Sequence, residues 1–132
     1  MSTLSRYAPY IYALLRIVVG LLFAFHGSQK LLGFPGDQPP VELASLMGVA
    51  GIVELVGGVL VAFGLFTRAA AFLASGQMAV AYFKAHASQG ALPLLNQGEA
   101  AVLFCFVFLY IFFQGSGPWS LDSLRHRNAS AR

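Results

Sequence analysis

Four apolar runs dominate the chain, and each holds few charges. They cover residues 10–34, 43–66, 69–87 and 98–114. A helix needs about 20 apolar residues to cross a bilayer, so the last run is short. In lipid, only a helix or a closed barrel satisfies its own backbone. The runs lack the period-two alternation of barrel strands, so helices are expected. Of the 132 residues, 58% are apolar and only 10% are charged. A soluble domain usually carries about a quarter charged residues. The predicted fold is therefore all-α, a single four-helix transmembrane bundle, with a cytoplasmic tail over 115–132.

The connections read as helix breakers. "GFPGDQPP", from Gly33 to Pro40, holds three prolines and two glycines. In "GLFTRA", Gly64 can end one helix and Thr67 can cap the next. "SQGALPLLNQG" is a longer loop. After the fourth run, Trp119 is placed as an interfacial anchor, and the residues from Arg125 onward are expected to be disordered. The first run is too long for a cleaved signal peptide, and Arg16 interrupts it early.

Charge then sets an orientation. Four spans put the N-terminus, the middle turn and the tail on one side. That side holds Arg6, Arg68, Arg125, Arg127 and Arg132, with Arg16 nearby. The other holds Lys30, Lys84, Asp37, Glu42 and Glu99. The positive-inside rule puts both termini in the cytoplasm of a bacterial inner membrane. The formal charge of +3 thus serves orientation, not nucleic-acid binding. Arg68 reads as an orientation anchor. Arg16 reads as a structural charge near the inner face or a partner of a lipid headgroup. Cys105 is the only cysteine, which excludes an intrachain disulfide and a dithiol relay.

Polar residues inside the runs are the candidates for function. "LLFAFHGSQKLLGF" carries His26, Gln29 and Lys30 on one helical face with Gly33. Measured from the outer helix ends, His26 lies about 12 Å deep, Gln77 about 15 Å and Glu54 about 16 Å. These three residues can share one level. An ionisable group at such a depth costs about 2.5 to 3.5 kcal/mol unless it is paired or neutral. Glu54 can pair with His26 or Lys30. Lys30, Lys84, His86 and Glu99 come out nearer the surface, and His86 and Glu99 can pair across the outer loop. Gly51 and Gly58 flank Glu54 and let a neighbouring helix approach, and Gly27 lies on a similar stripe. All these groups have a bland reading as internal hydrogen-bond clasps. Two histidines without a metal-type spacing give no metal site.

The segments "RIVVGLLFAFHGSQKLLGF", "GIVELVGGVLVAFGLFTRAAAFLA" and "NQGEAAVLFCFVFLYIFFQGSGPWSLD" resemble the DoxX family of small bacterial membrane proteins. The resemblance spans Arg16 to Asp122. It implies a four-helix bundle in the inner membrane. It also implies family relations with a thiosulfate:quinone oxidoreductase subunit and with a member of a membrane-associated redox complex. More distant relatives act as cargo receptors or assembly chaperones. By resemblance, His26, Gly27, Lys30, Glu54, Gly58, Thr67, Arg68, Gly98, Glu99 and Asp122 occupy motif positions.

The expectation is a redox subunit that binds a quinone or a small sulfur-containing metabolite. Glu54 and His26 would be the catalytic pair, hydrogen-bonding the ligand and carrying its protons. Gln29, Lys30, Gln77, Lys84 and Glu99 would line the binding site, with the lysines attracting an anionic substrate. Gly27, Gly51, Gly58 and Arg68 would be structural or orienting. The expected partners are the lipid bilayer, redox partner proteins and a second copy of the chain. A non-catalytic scaffold or assembly chaperone is the rival reading. A small transporter or proton path ranks last, because the inner half of the helices is mostly apolar.

Overall fold

The computed structural model describes residues 2–132, and every regular element among them is helical. A short 3-10 turn, Leu4–Tyr7, leads into α1, Ala8–Leu32. Then come α2, Leu46–Phe63, and α3, Thr67–Ala81. α4 is Glu99–Gln114 and α5 is Leu121–Ser130. The stretch Leu4–Leu32 and α2 are long and apolar enough to cross a membrane. α3 has 15 residues, but a π-helical turn at Tyr82–His86 and a 3-10 turn at Ala87–Gln89 prolong it.

Local chemistry fixes the boundaries. Pro9 sits in the first turn of α1, where a missing N–H costs nothing. Gly33 and Gly64 end α1 and α2 with φ of 72° and 67°, a region that costs other residues strain. Ser45 caps α2 by accepting the Gly48 N–H at 3.0 Å, so this helix starts later than the apolar run does. Thr67 does not cap α3 as expected. It is the first residue of that helix, and the preceding Phe66 has φ 48°. The tail also departs from expectation, because Ser120 caps a helix that includes Arg125.

α1 and α2 form an antiparallel hairpin with backbone against backbone. A Cβ on Gly20 would stand 2.6 Å from the Ala62 nitrogen and 2.7 Å from the Gly58 oxygen. A Cβ on Gly27 would press on Leu55 and Gly51, and one on Gly58 would press on Ala24. Two crossings one heptad apart therefore lock the register. α3 packs on α4 through Ala70, Ala71 and Ala74, and the Ser75 hydroxyl donates to the Cys105 carbonyl at 2.8 Å. Phe23 of α1 joins the hairpins, with its ring 4.7 Å from that of Phe108 in α4. Outward faces carry exposed Leu14, Val18, Leu22, Phe25, Val59, Phe63 and Phe72. In water, such continuous apolar surface would drive association.

Three charged residues close helix ends that are not their own. Arg16, fully buried in α1, donates to the Val61 and Ala62 carbonyls at the end of α2, both at 2.7 Å. Its other amino group reaches the carbonyls of Pro118 at 3.2 Å and Trp119 at 2.7 Å. Of the two expectations for Arg16, the structural charge holds and the lipid-headgroup pairing does not, since four internal carbonyls take its amino groups. Arg68 of α3 donates to Phe112 and Phe113 at the end of α4, at 2.7 and 2.9 Å. Asp122 caps α3, accepting from the N–H groups of Phe66 and Thr67 and from the Thr67 hydroxyl at 2.8 to 3.0 Å. Each interaction supplies partners that a helix terminus leaves missing.

Two predictions follow from these contacts. Gly58→Ala must push α1 and α2 apart, and overpacking of this kind costs about 1 to 3 kcal/mol. Gly76 has no atom within 4 Å of its would-be Cβ. Gly76→Ala should therefore gain up to about 1 kcal/mol from helix propensity. Thermal unfolding of both variants in detergent checks the contrast. For Asp122, burial pushes the carboxyl up, but hydrogen bonds from Thr67 and Phe66 and the charge of Arg125 hold it below its ordinary 3.8. A depressed carboxyl stabilises the fold above its unfolded value, and that contribution is lost as pH falls through the folded value. The unfolding temperature should thus drop below about pH 4 through this group. Asp122→Asn should start lower at pH 7 and lose less over the same acid range.

Candidate functional site

Glu54 sits in mid-α2 with 1% of its surface exposed. A carboxylate so buried needs compensation, and two neighbouring helices supply it. Lys30, near the end of α1, places its Nζ 2.5 Å from Glu54 Oε1. Gln77 of α3 donates from Nε2 to the same oxygen at 2.8 Å. The lysine stem runs down along the seam, 3.2 Å from where a Cβ of Gly51 would stand. Gly51 thus leaves room for the ion pair to form between two close helices.

Polar capacity remains unused at this cluster. Glu54 Oε2 and Gln77 Oε1 are buried and have no hydrogen-bond partner among the described residues. The Gln77 amide cannot be turned to cure this. Its oxygen would then face the carboxylate, acceptor against acceptor. Both buried acceptors can therefore take a hydrogen bond from a donor.

Two cavities flank the cluster. One, of about 290 Å³, is lined by Lys30, Met47, Ala50, Glu54, Gln77, Lys84 and His86. The other, of about 160 Å³, is lined by Phe23, His26, Lys30, Glu54, Met78, His86 and Phe104. Lys30, Glu54 and His86 stand between the two. The π-helical turn carries Lys84 and His86. Such turns add a residue to a helix and re-aim side chains near functional sites.

The residues expected at the site divide clearly. Glu54, Lys30 and Gln77 meet directly, and Lys84 lies on a cavity wall. His26 shares a cavity wall with Glu54 but is exposed, and its ring stands edge-on to Phe104 at 5.8 Å. No hydrogen bond joins His26 to Glu54 among the described residues; Lys30 and Gln77 take the carboxylate. Gln29 points elsewhere, donating to the Pro35 carbonyl at 2.9 Å and pinning the loop after α1. Glu99 is exposed in the first turn of α4 and lines neither cavity. It does not pair with His86, whose Nδ1 lies 3.1 Å from the Asn96 carbonyl. Gly27 and Gly58 lie on the α1–α2 seam, and Arg68 closes α4.

Sequence reasoning missed one organiser, Asn96. It is fully buried in the loop before α4. Its amide donates to the Tyr82 hydroxyl at 3.1 Å and the Gly90 carbonyl at 3.0 Å, and its oxygen accepts the Gly98 N–H at 2.9 Å. With His86 bonded to its carbonyl, this loop is fastened onto the π-helical turn at the site. An asparagine in a polar loop carries no signal that marks it for burial.

Comparison with known proteins adds three relatives. A Haemophilus influenzae protein, named only "Uncharacterized protein", is 46% identical over 93% of this chain and 96% of its own length. A Bacillus subtilis protein named "Putative oxidoreductase CatD" is 32% identical over 83% of this chain and 82% of its own. The "Inner membrane protein YqjF" of Escherichia coli is 29% identical over 85% and 89%. No solved structure matches the chain. The DoxX family model matches residues 11–87, which include all but the first three residues of α1, the whole of α2 and α3, and the Glu54 cluster. This chain belongs to the DoxX family, in which relatives are named as membrane proteins.

Proposed function

We propose that this chain is a membrane subunit of a redox system and that its Glu54 site binds the reduced, hydroxyl-bearing form of a quinone. Four helices cross the inner membrane in this reading, with both termini in the cytoplasm. The exposed apolar faces of the helices support a lipid setting. The grouping of all six arginines at one end and both lysines at the other supports the orientation. An oxidoreductase name on a relative 32% identical is consistent with a redox role.

The pair of unpartnered buried acceptors carries the ligand assignment. A quinone carbonyl brings no proton to a carboxylate, whereas a quinol hydroxyl does. Glu54 Oε2 would accept that hydrogen bond, with Gln77 Oε1 as a second acceptor beside it. As the ring is oxidised to the quinone, two electrons leave to a partner protein and two protons leave the hydroxyls. Glu54 takes the first proton. In this reading His26, which lines the smaller cavity with Glu54, takes the second and passes it outward. With a single cysteine, the chain itself has no dithiol to receive the electrons. A small anionic sulfur metabolite is the second reading, favoured by Lys84 on the wall of the larger cavity.

The test is a binding measurement on protein in mild detergent, wild type beside Glu54→Gln. A short-chain quinol should bind at least about tenfold more tightly than its quinone, the scale of one hydrogen bond to a charged group. Glu54→Gln should abolish that preference while the protein stays folded by circular dichroism. Mass spectrometry of an organic extract should find a stoichiometric quinone-type lipid in the wild type and not in the variant. An empty extract together with no binding of either form would move the protein to the scaffold reading, with Lys30, Glu54 and Gln77 as a clasp. Binding of an anionic sulfur compound alone would select the second reading.

A further inference from the structure

The charges are sorted more sharply than orientation alone demands. The helix ends joined by Arg16, Arg68 and Asp122 carry all six arginines of the chain and a single carboxylate. That carboxylate, Asp122, already accepts three hydrogen bonds from the start of α3. Cations at this end are therefore under-compensated.

A cleft of about 640 Å³ opens among them, between the start of α3, the end of α4 and α5. Arg68, Arg125 and His126 line it, together with Gln114, Ser116 and the already hydrogen-bonded Asp122. Arg68 spends one amino group, Nη1, on the α4 carbonyls. Its Nη2 and Nε have no hydrogen bond among the described residues. Gly115 lets the guanidinium lie against the backbone, since a Cβ there would stand 2.9 Å from Nη2. Arg125 lies over the Phe66 ring at 4.8 Å and reaches Asp122 only at 3.8 Å. That separation is too long for a good hydrogen bond, so its donors also remain available. Two arginines with free donors, an imidazole, an amide and a hydroxyl around one cleft match a group with several anionic oxygens. Guanidinium forks pair with phosphate in this way.

We propose that this cleft binds a phosphoryl group, carried either by an anionic phospholipid or by a soluble phosphate ester. The site is separate from Glu54, so its occupancy does not depend on the redox reading. Arg68 holds one face of the phosphoryl group while it closes α4. Arg125, released from its long contact with Asp122, holds the other.

The experiment uses the full chain in non-ionic detergent and measures binding of three probes: dioctanoyl phosphatidylglycerol, dioctanoyl phosphatidylcholine and glycerol 3-phosphate. Phosphatidylglycerol should bind at least about tenfold more tightly than phosphatidylcholine. Arg125→Gln should remove that margin, and Arg132→Gln, outside the cleft, should keep it. Arg125 makes no helix-closing bond, so its variant should fold; His126→Asn offers a second, milder change with a smaller loss. Binding of glycerol 3-phosphate lost in Arg125→Gln assigns a soluble ester. Binding of phosphatidylglycerol alone assigns a lipid. Equal affinity for the two lipids with no binding of glycerol 3-phosphate overturns the proposal, as does an equal loss in the Arg125 and Arg132 variants.

Discussion

A guanidinium buried in a helix needs acceptors around it, and Arg16 takes them from backbone that only the finished fold brings together. Two of its carbonyls belong to the end of α2 and two to the segment before α5. Leaving such a charge unpaired would cost several kcal/mol, so the register of the α1–α2 hairpin and the path of the chain after α4 are set together. The glycine crossings make this possible. Because Gly20 meets Gly58 and Ala62 without side chains between them, Arg16 can reach over to the α2 terminus. The second hairpin repeats the device: Arg68 of α3 closes the end of α4, as Arg16 of α1 closes the end of α2. No sequence symmetry reveals this, because the arginine lies well inside α1 but second in α3.

What the sequence made legible follows from periodicity and composition. Apolar runs bounded by Gly33 and Gly64 mark helices, since a glycine at positive φ is a local property. Glu54, Lys30 and Gln77 stand out because polar groups in apolar runs must find one another. The pairings themselves were less legible. Depth estimates favoured His26 beside Glu54, but a lysine stem is long and flexible, and Lys30 reaches back to the carboxylate that an imidazole on the same face does not bond. Thr67 looks like a cap because its type favours caps. The cap is Asp122, 55 residues away, and spacing carries no signal for a partner so distant. The polar residues from Arg125 onward carry the composition of a disordered end, yet as far as Ser130 they continue the helix that Ser120 caps, and the Asp122 N–H anchors that helix to the Gly64 carbonyl at 2.9 Å.

The two ends of the molecule use different cations for different tasks. Arginine offers five donors on a rigid plane, so one side chain can serve several carbonyls and still keep donors free. Lysine offers a compact charge on a flexible stem, suited to meeting one buried carboxylate whose exact position is set by helix packing. Every arginine here lies at the end where helix termini are closed. Both lysines lie at the end that holds the Glu54 cluster, on the walls of the cavity beside it. The distribution is thus a division between stitching backbone and balancing a buried acid.

That division bears on where the fold can accommodate a ligand. At the arginine end, four carbonyls, two helix termini and one cap are satisfied within the chain. The Arg16 Nε alone stays buried without a partner, and a ligand in the cleft beside Arg68 and Arg125 would draw on their spare donors. At the Glu54 cluster the unpartnered buried atoms are both acceptors, so a ligand that engages them must bring a proton. An apolar residue in place of Gln77 would remove one orphan, and a shorter second helix would expose Glu54 to water. The chain does neither. It keeps a carboxylate at mid-helix beside two cavities, held by Lys30 and Gln77 through one oxygen and with the other oxygen unpartnered, and that spare acceptor is the feature on which the proposed ligand reading rests.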